Sequence, residues 1–325
     1  FLIVIAFLQL LCIIIIDKTA RTSQRCVPVA GIFLCGDGFM DVKEPISFDE
    51  QLAKIEERGC FVSDEAFAKR KLQQINYYRL TAYFLPFKNS DGTYKEGTSF
   101  NNVFRIYEFD RKMRSLIFST IEEIELMLRT QLAYYHATKY GALGYMNPEN
   151  FIHKHNAENF EKRLQEKIEH NKEQFFVKHH IEKYNSQFPL WVIIELFTFG
   201  DLSFFFSDML KTDKKYLART LFHTSDTNVS SWLLCLTHLR NYCAHYSRLY
   251  FNKFGTVPAT PKGFPHILED KLFDYLLVVK FLYPDHERWA NLFMVDLENL
   301  IEAYSDVVKM QHIGFPDDWK RLLSM

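Results

Sequence analysis

Along residues 106–132 apolar side chains return at steps of three and four: Ile106, Phe109, Met113, Ile117, Ile121, Ile124, Leu128 and Leu132. That spacing follows the helical turn and predicts one long helix with a core-facing stripe. Ser99 is placed to cap its start, and residues 141–148 to end it near Tyr140. Ser47 and Glu50 form a capping-box pattern ahead of a short helical pair over 48–58 and 64–76, broken at Gly59. Residues 77–100 depart from the helical period. They mix β-formers with Pro86 and the turn run Asn89-Ser90-Asp91-Gly92, which predicts an ordered loop or small hairpin. Beyond the long helix the pattern predicts a polar helix over 157–184 and an aromatic-rich one over 190–210 with a break at Gly200. Asn228 then caps a helix running past His245, and two more helices follow over 267–283 and 286–310. The expected architecture is all-α: a small helical subdomain over residues 40–98, then a helical bundle over 99–325, with no internal repeat.

The first sixteen residues, FLIVIAFLQLLCIIII, are a different matter. A spanning helix needs about 20 apolar residues, so this run is short for one. No basic stretch precedes it, as a secretory signal requires. Lys18, Arg21 and Arg25 follow it, as in a membrane anchor with a cytoplasmic body. Met40 opens the capped helical region, so residues 1–39 read as an upstream extension ahead of a natural start at Met40, with the anchor as the alternative.

Composition narrows the function classes. The chain of 325 residues is 48% hydrophobic, with 31 Phe and 17 Tyr, enough for a sizeable core. Its net charge of −1 excludes a protein that coats duplex nucleic acid, because such affinity comes from neutralising phosphates. Any nucleic-acid contact is therefore local. The basic clusters Lys69-Arg70-Lys71, Arg111-Lys112-Arg114 and 211–219 each read as solvated helix faces. Six cysteines without CxxC pairing indicate a reducing, cytoplasmic setting. There is no phosphate-cradling glycine loop, HExxH or GxSxG, so no cofactor is expected. His153/His155 and His179/His180 lack companion ligands at zinc spacing and read as surface histidines, with no metal site.

One segment carries candidate chemistry: NVSSWLLCLTHLRNYCAHYSRLY, residues 228–250. On a helix Val229, Trp232, Leu233, Leu236, Leu239 and Cys243 share one side. Arg240 falls at the edge of that apolar sector, while His238, Asn241 and His245 point away from it. A guanidinium at the edge of a core is costly without a partner. The bland explanation is an ion pair to Glu122 or Glu125 on the long helix, and for His245 an exposed residue at a helix end. Together, though, Arg240, Asn241 and His245 are suited to a phosphodiester. Histidine, with an ordinary pKa of ~6.5, can take or give a proton near neutrality. Arginine offers a permanently charged fork to phosphate oxygens. Cleavage by the ribose 2′-hydroxyl needs little else.

At these residues the chain resembles the HEPN superfamily, whose hallmark is Arg, a polar residue, a short spacer and His. More widely, residues 42–250 resemble the Abi-like family of abortive-infection phage-resistance proteins, of the AbiD/AbiF type. The matching stretches are YYRLTAYFLPFK (77–88), YEFDRKMRSLIFSTIEEIELMLRTQLAYYHA (107–137), PLWVIIELFTFGDLSFFF (189–206) and LRNYCAHYSRLY (239–250). The resemblance implies a HEPN-like helical core, a role in halting phage spread, and cleavage or binding of RNA. It casts Arg240, Asn241 and His245 as catalytic, with Glu125 orienting them beside Arg129. His238, Tyr246 and Arg248 become candidates for RNA contact or an interface. The sequence departs from the family where Tyr246 replaces a common second His and Tyr250-Phe251 an expected Trp-Asn. Arg240 and His245 lie five positions apart, about 140° around one helix, so one copy does not bring them to a point. The expected active species is a homodimer paired along this helix, with His238 as the second histidine of a monomer in the alternative. The expected function is thus a metal-independent endoribonuclease of phage defence. A non-catalytic RNA-binding or toxin–antitoxin-like module, partnered by a small noncoding RNA or an antitoxin, is the rival. A purely structural interaction protein is the third reading.

Overall fold

The first four helices each begin where a short polar side chain closes backbone N–H groups of the first turn. The computed structural model describes residues 44–325. Ser47 accepts from Glu50 N at 3.2 Å, and Glu50 reaches back to Ser47 N at 2.7 Å, at the start of α1 (Phe48–Glu57). Asp64 caps α2 (Glu65–Gln74), Asn76 caps α3 (Tyr77–Thr81) and Ser99 caps α4 (Phe100–Tyr140). Gly141 ends α4 at φ 86, a conformation that strains any residue with a Cβ. All eight residues of the expected apolar stripe on α4 are buried.

The remaining helices are α5 (Ala157–His170), α6 (Phe175–Lys183), α7 (Leu190–Ile193), α8 (Phe199–Asp208), α9 (Lys211–Phe222) and α10 (Asp226–Ala244). An irregular segment leads to α11 (Leu272–Leu282). Then α12 (His286–Arg288) passes through one π turn (Trp289–Phe293) into α13 (Met294–Ala303), and α14 (Trp319–Ser324) closes the chain. Among the described residues there is no strand, only three isolated bridges, so the protein is all-α as expected. Residues Ser47–Met325 form one compact unit. At its centre α10 packs on α4, α8, α9 and α11. The apolar run at residues 1–16 and the start at Met40 lie outside the described residues.

Several boundaries differ from the sequence expectation. Residues 77–87 are helical, α3 continuing as a 3-10 turn (Ala82–Phe87) that accommodates Pro86. Burial of Leu80, Tyr83 and Phe84 outweighs their β-propensity. Only the following turn is hairpin-like: Lys88 bridges Tyr94 around Asp91, which accepts from Thr93 N. The polar helix over 157–184 is two helices, because Asn171 folds back onto Lys167 O at 2.8 Å and ends the first. The break near Gly200 comes earlier, where Thr198 and Asp201 form a capping box. Ser225, not Asn228, caps α10; Asn228 donates its own N–H to Ser225 Oγ.

Candidate functional site

Helix α10 buries Val229, Trp232, Leu233, Cys235, Leu236, Leu239 and Cys243, the face expected from its spacing with Cys235 added. Trp232 fixes its axial position, stacking on Phe281 with ring centroids 4.8 Å apart and donating its indole N–H to Ala259 O. Burial pushes the Cys235 thiol up to about 11 and the Cys243 thiol up to about 12, so both remain apolar fillers.

Arg240 leaves this helix at the rim of the core, its side chain 31% exposed. The guanidinium lies over the Phe118 ring, 5.5 Å from the centroid. Its nearest carboxylate is Glu125, at 3.8 Å from Nε, beyond hydrogen-bond range. Glu125 is held instead by Arg129, four residues on along α4, and Arg129 also donates to the carbonyls of Ile194 and Glu195 at 2.8 and 2.9 Å. Arg240 Nε is buried without any hydrogen bond. A hollow of 370 Å³ between Glu125, Arg129, Glu195 and Phe118 opens beside it. Glu125 and Arg129 are thus a largely buried pair, and the ion-pair explanation of Arg240 is met only loosely.

His245 is the C-cap of α10, where the helix ends after Ala244. It is exposed, and neither its ring nor the Asn241 amide has a hydrogen-bond or ion-pair partner among the described residues. Tyr246 follows in the left-handed region at φ 58, a place that favours glycine and costs an L-residue about 1–2 kcal/mol. The strain is held by a dense set of bonds. Arg79 donates to Tyr246 O, Ser247 N to Tyr242 O at 2.8 Å, and Arg114 to Ser247 O at 3.2 Å. Asp110 accepts the N–H groups of Leu249 and Tyr250 at 3.0 and 2.8 Å. Arg248 turns inward to donate to Ala82 O at 3.0 Å, and burial lowers its pKa.

Behind this turn Asp110, Arg114 and Tyr83 form a buried node. Tyr83 donates its hydroxyl to Asp110 at 2.6 Å, and Arg114 donates to the same oxygen at 2.5 Å. None of the three was a candidate from sequence. The available signal was Asp110 and Arg114 at helical spacing beside a buried stripe, a place where charges need partners. The node also explains why stretches 77–88 and 107–137 accompany the motif: they supply the clamp on its far end.

The other expected residues divide. His238 is half-buried, its Nδ1 3.3 Å from Thr256 Oγ1, and burial lowers its pKa. Beside it Tyr242, on the same helix but not among the site residues expected from the sequence, packs edge-on against Phe254. The segment after the motif therefore covers part of the α10 face assigned to a partner. Tyr246 remains 69% exposed. Of the histidine pairs, His155 is no surface residue: its side chain is 3% exposed, bonds Asp208 at 2.9 Å and stacks on Phe151. No group of three or more potential ligands able to hold a metal occurs among the described residues. Likewise, no described helix is long and apolar enough to cross a membrane.

No match to the chain is found among curated proteins or among solved structures. The sequence profile of the Abi-like protein family matches residues 70–251, from α2 through the clamped turn after α10. That span covers more than half of the 325 residues and contains the motif helix, the long helix and every residue of the buried node. The chain belongs to the Abi-like protein family.

Proposed function

We propose that this protein acts in phage defence as a metal-independent endoribonuclease, with Arg240, Asn241 and His245 at its reacting centre. The family supports the defence role. The observation that carries the chemistry is Arg240: a guanidinium held rigidly by a buried helix, stacked on Phe118, yet with a buried Nε that bonds nothing. A structural arginine in that position would be fully paired. The side chain is 31% exposed, and its terminal N–H groups, which bond nothing among the described residues, are the ones offered to an RNA phosphate. His245 stands ready at the exposed helix end to take the 2′-hydroxyl proton or to protonate the departing 5′ oxygen. The attacking 2′ oxygen bonds to phosphorus as the 5′ oxygen leaves, giving a cyclic phosphate, and Arg240 neutralises the charge that builds on the phosphoryl oxygens.

Acid and base must flank the phosphorus, and one chain offers this histidine once. The proposed active species is therefore a two-fold pair meeting along the face of α10 that stays open, where Leu234 is exposed on the same side as Asn241 and His245. The test is cleavage of end-labelled RNA in EDTA by wild type, His245→Ala and Arg240→Ala, with light scattering at the assay concentration. Expected are cleavage by wild type and a loss of about 10²-fold or more in each variant. Full cleavage by His245→Ala would falsify the catalytic assignment. RNA binding without cleavage by wild type selects a binding module, and full specific activity in a monomer removes the dimer.

A further inference from the structure

A groove of 680 Å³ runs between the end of α2, the start of α3 and the first half of α4, and reaches the turn after α10. We propose that it holds the backbone of a single-stranded nucleic acid and leads it to Arg240; that the strand is RNA rests on the function proposed above. Arg79, Arg111 and Arg114 line the groove, and no carboxylate does. Their charges are unequally available. Arg114 is neutralised from behind by Asp110. Arg111 shares an exposed pair with Glu108, at 3.2 and 3.3 Å, of the kind that contributes little and yields readily to a phosphate. Among the described residues Arg79 bonds only the Tyr246 carbonyl and pairs with no carboxylate.

Aromatic rings accompany the arginines. Tyr107, Phe118 and Tyr246 also line the groove, and the left-handed backbone at Tyr246 leaves its ring largely in solvent. Arginines that track phosphates beside rings that stack bases are the makings of a single-strand site, since a duplex keeps its base faces covered. Phe118 lines this groove and also the hollow beside Arg240, so the groove runs up to the motif, where Arg129 and Arg240 line the hollow together with Glu122, Glu125 and Glu195. A row of charges suits a repeating phosphate rather than the single dianion of a phosphopeptide. It also meets the requirement set by the net charge of −1, that attraction to nucleic acid be local.

The experiment uses the full chain and a fluorescein-labelled 2′-O-methyl oligouridylate, which cannot be cut because its nucleophile is blocked. Anisotropy is read across salt concentrations for wild type, Arg111→Glu, Arg111→Gln, Tyr246→Ala and the control Arg321→Glu on α14, with melting curves confirming that each is folded. Arg111→Glu is expected to weaken binding tenfold or more and Arg111→Gln less. Each should lower the salt slope by about 0.7, the loss of one single-strand phosphate contact. Tyr246→Ala is expected to weaken the single strand about tenfold while leaving a duplex of the same length unchanged, and Arg321→Glu to match wild type. Affinity within twofold of wild type for both Arg111 variants overturns the groove, as does displacement of the probe by a phosphoserine peptide at lower concentration than by unlabelled oligonucleotide. The two proposals fail separately. A wild type that binds through Arg111 but never cuts natural RNA loses the nuclease and keeps the groove. One that cuts RNA equally well with Glu at position 111 keeps the nuclease and loses the groove.

Discussion

Two acid–arginine pairs with the same four-residue spacing lie on α4 and behave differently. Asp110–Arg114 is sealed, with side-chain exposures of 1% and 5%, and every oxygen of Asp110 is occupied by Tyr83, Arg114 or the N–H groups of Leu249 and Tyr250. Glu125–Arg129 is at 14% and 12%, beside a hollow, with Arg240 close but unbonded. The first pair is a finished network, which fixes a turn and has no valence left for a ligand. The second is unfinished: Arg240 Nε is buried without a bond, and the rest of its side chain is partly exposed. On one helix, spacing and residue class alone do not tell the two pairs apart; completeness of bonding does.

The largest effect expected is at the finished pair. Asp110→Asn keeps the shape but strands Arg114 and turns one acceptor into a donor facing backbone N–H groups, so stability should fall by about 3–5 kcal/mol in urea unfolding. A loss under 1 kcal/mol would mean that the node is not what holds the turn. Arg240→Ala should do the opposite: change stability by roughly 1 kcal/mol or less, because Glu125 keeps Arg129, while cleaving RNA about 10²-fold more slowly. If Arg240→Ala unfolds the protein as Asp110→Asn does, the two pairs are alike and the contrast between them fails.

How much of this could be read from the chain follows from the same contrast. The stripe on α4, its Ser99 cap and the apolar face of α10 are local periodicities, and they appear where the spacing puts them. The placement of Arg240 at the edge of an apolar sector was equally local, and it survives. Asp110 was invisible because its meaning lies in Tyr83, Leu249 and Tyr250, brought to it by the fold from far along the chain. His155 was misread for the same reason: its polar neighbours suggested solvent, but its partner Asp208 arrives on α8. The cluster Arg111-Lys112-Arg114 shows the limit most plainly. Arg111 and Arg114 both line a groove, the first exposed and the second buried against Asp110, while Lys112 lies over the Tyr304 ring. Helical rotation separates them by about 100° per residue, and only the packing says what each direction meets.

The smallest effect at neutral pH is expected at a third polar group of α4, which tests whether an unbonded group by itself marks a site. His136 is fully buried, stacked on Phe151 and packed near Tyr140 and Phe205, and neither ring nitrogen has a hydrogen bond. Burial pushes its pKa down to about 4, with Asp213 opposing and Lys139 assisting. The unfolded chain regains the ordinary value near 6.5, so it binds the proton that the folded state refuses. Stability from this residue is therefore intact above 6.5 and drains away as pH falls toward 4. His136→Phe keeps the stacking and removes both orphaned nitrogens. It should stabilise the fold by roughly 1 kcal/mol at pH 7, the low end for an unsatisfied buried group, and flatten the loss between pH 6.5 and 4 in denaturant titrations. RNA cleavage should be unchanged, because this ring is fully buried whereas a hollow opens beside Arg240. If His136→Phe also abolished cleavage, an open cavity beside the group would no longer be the feature that distinguishes Arg240.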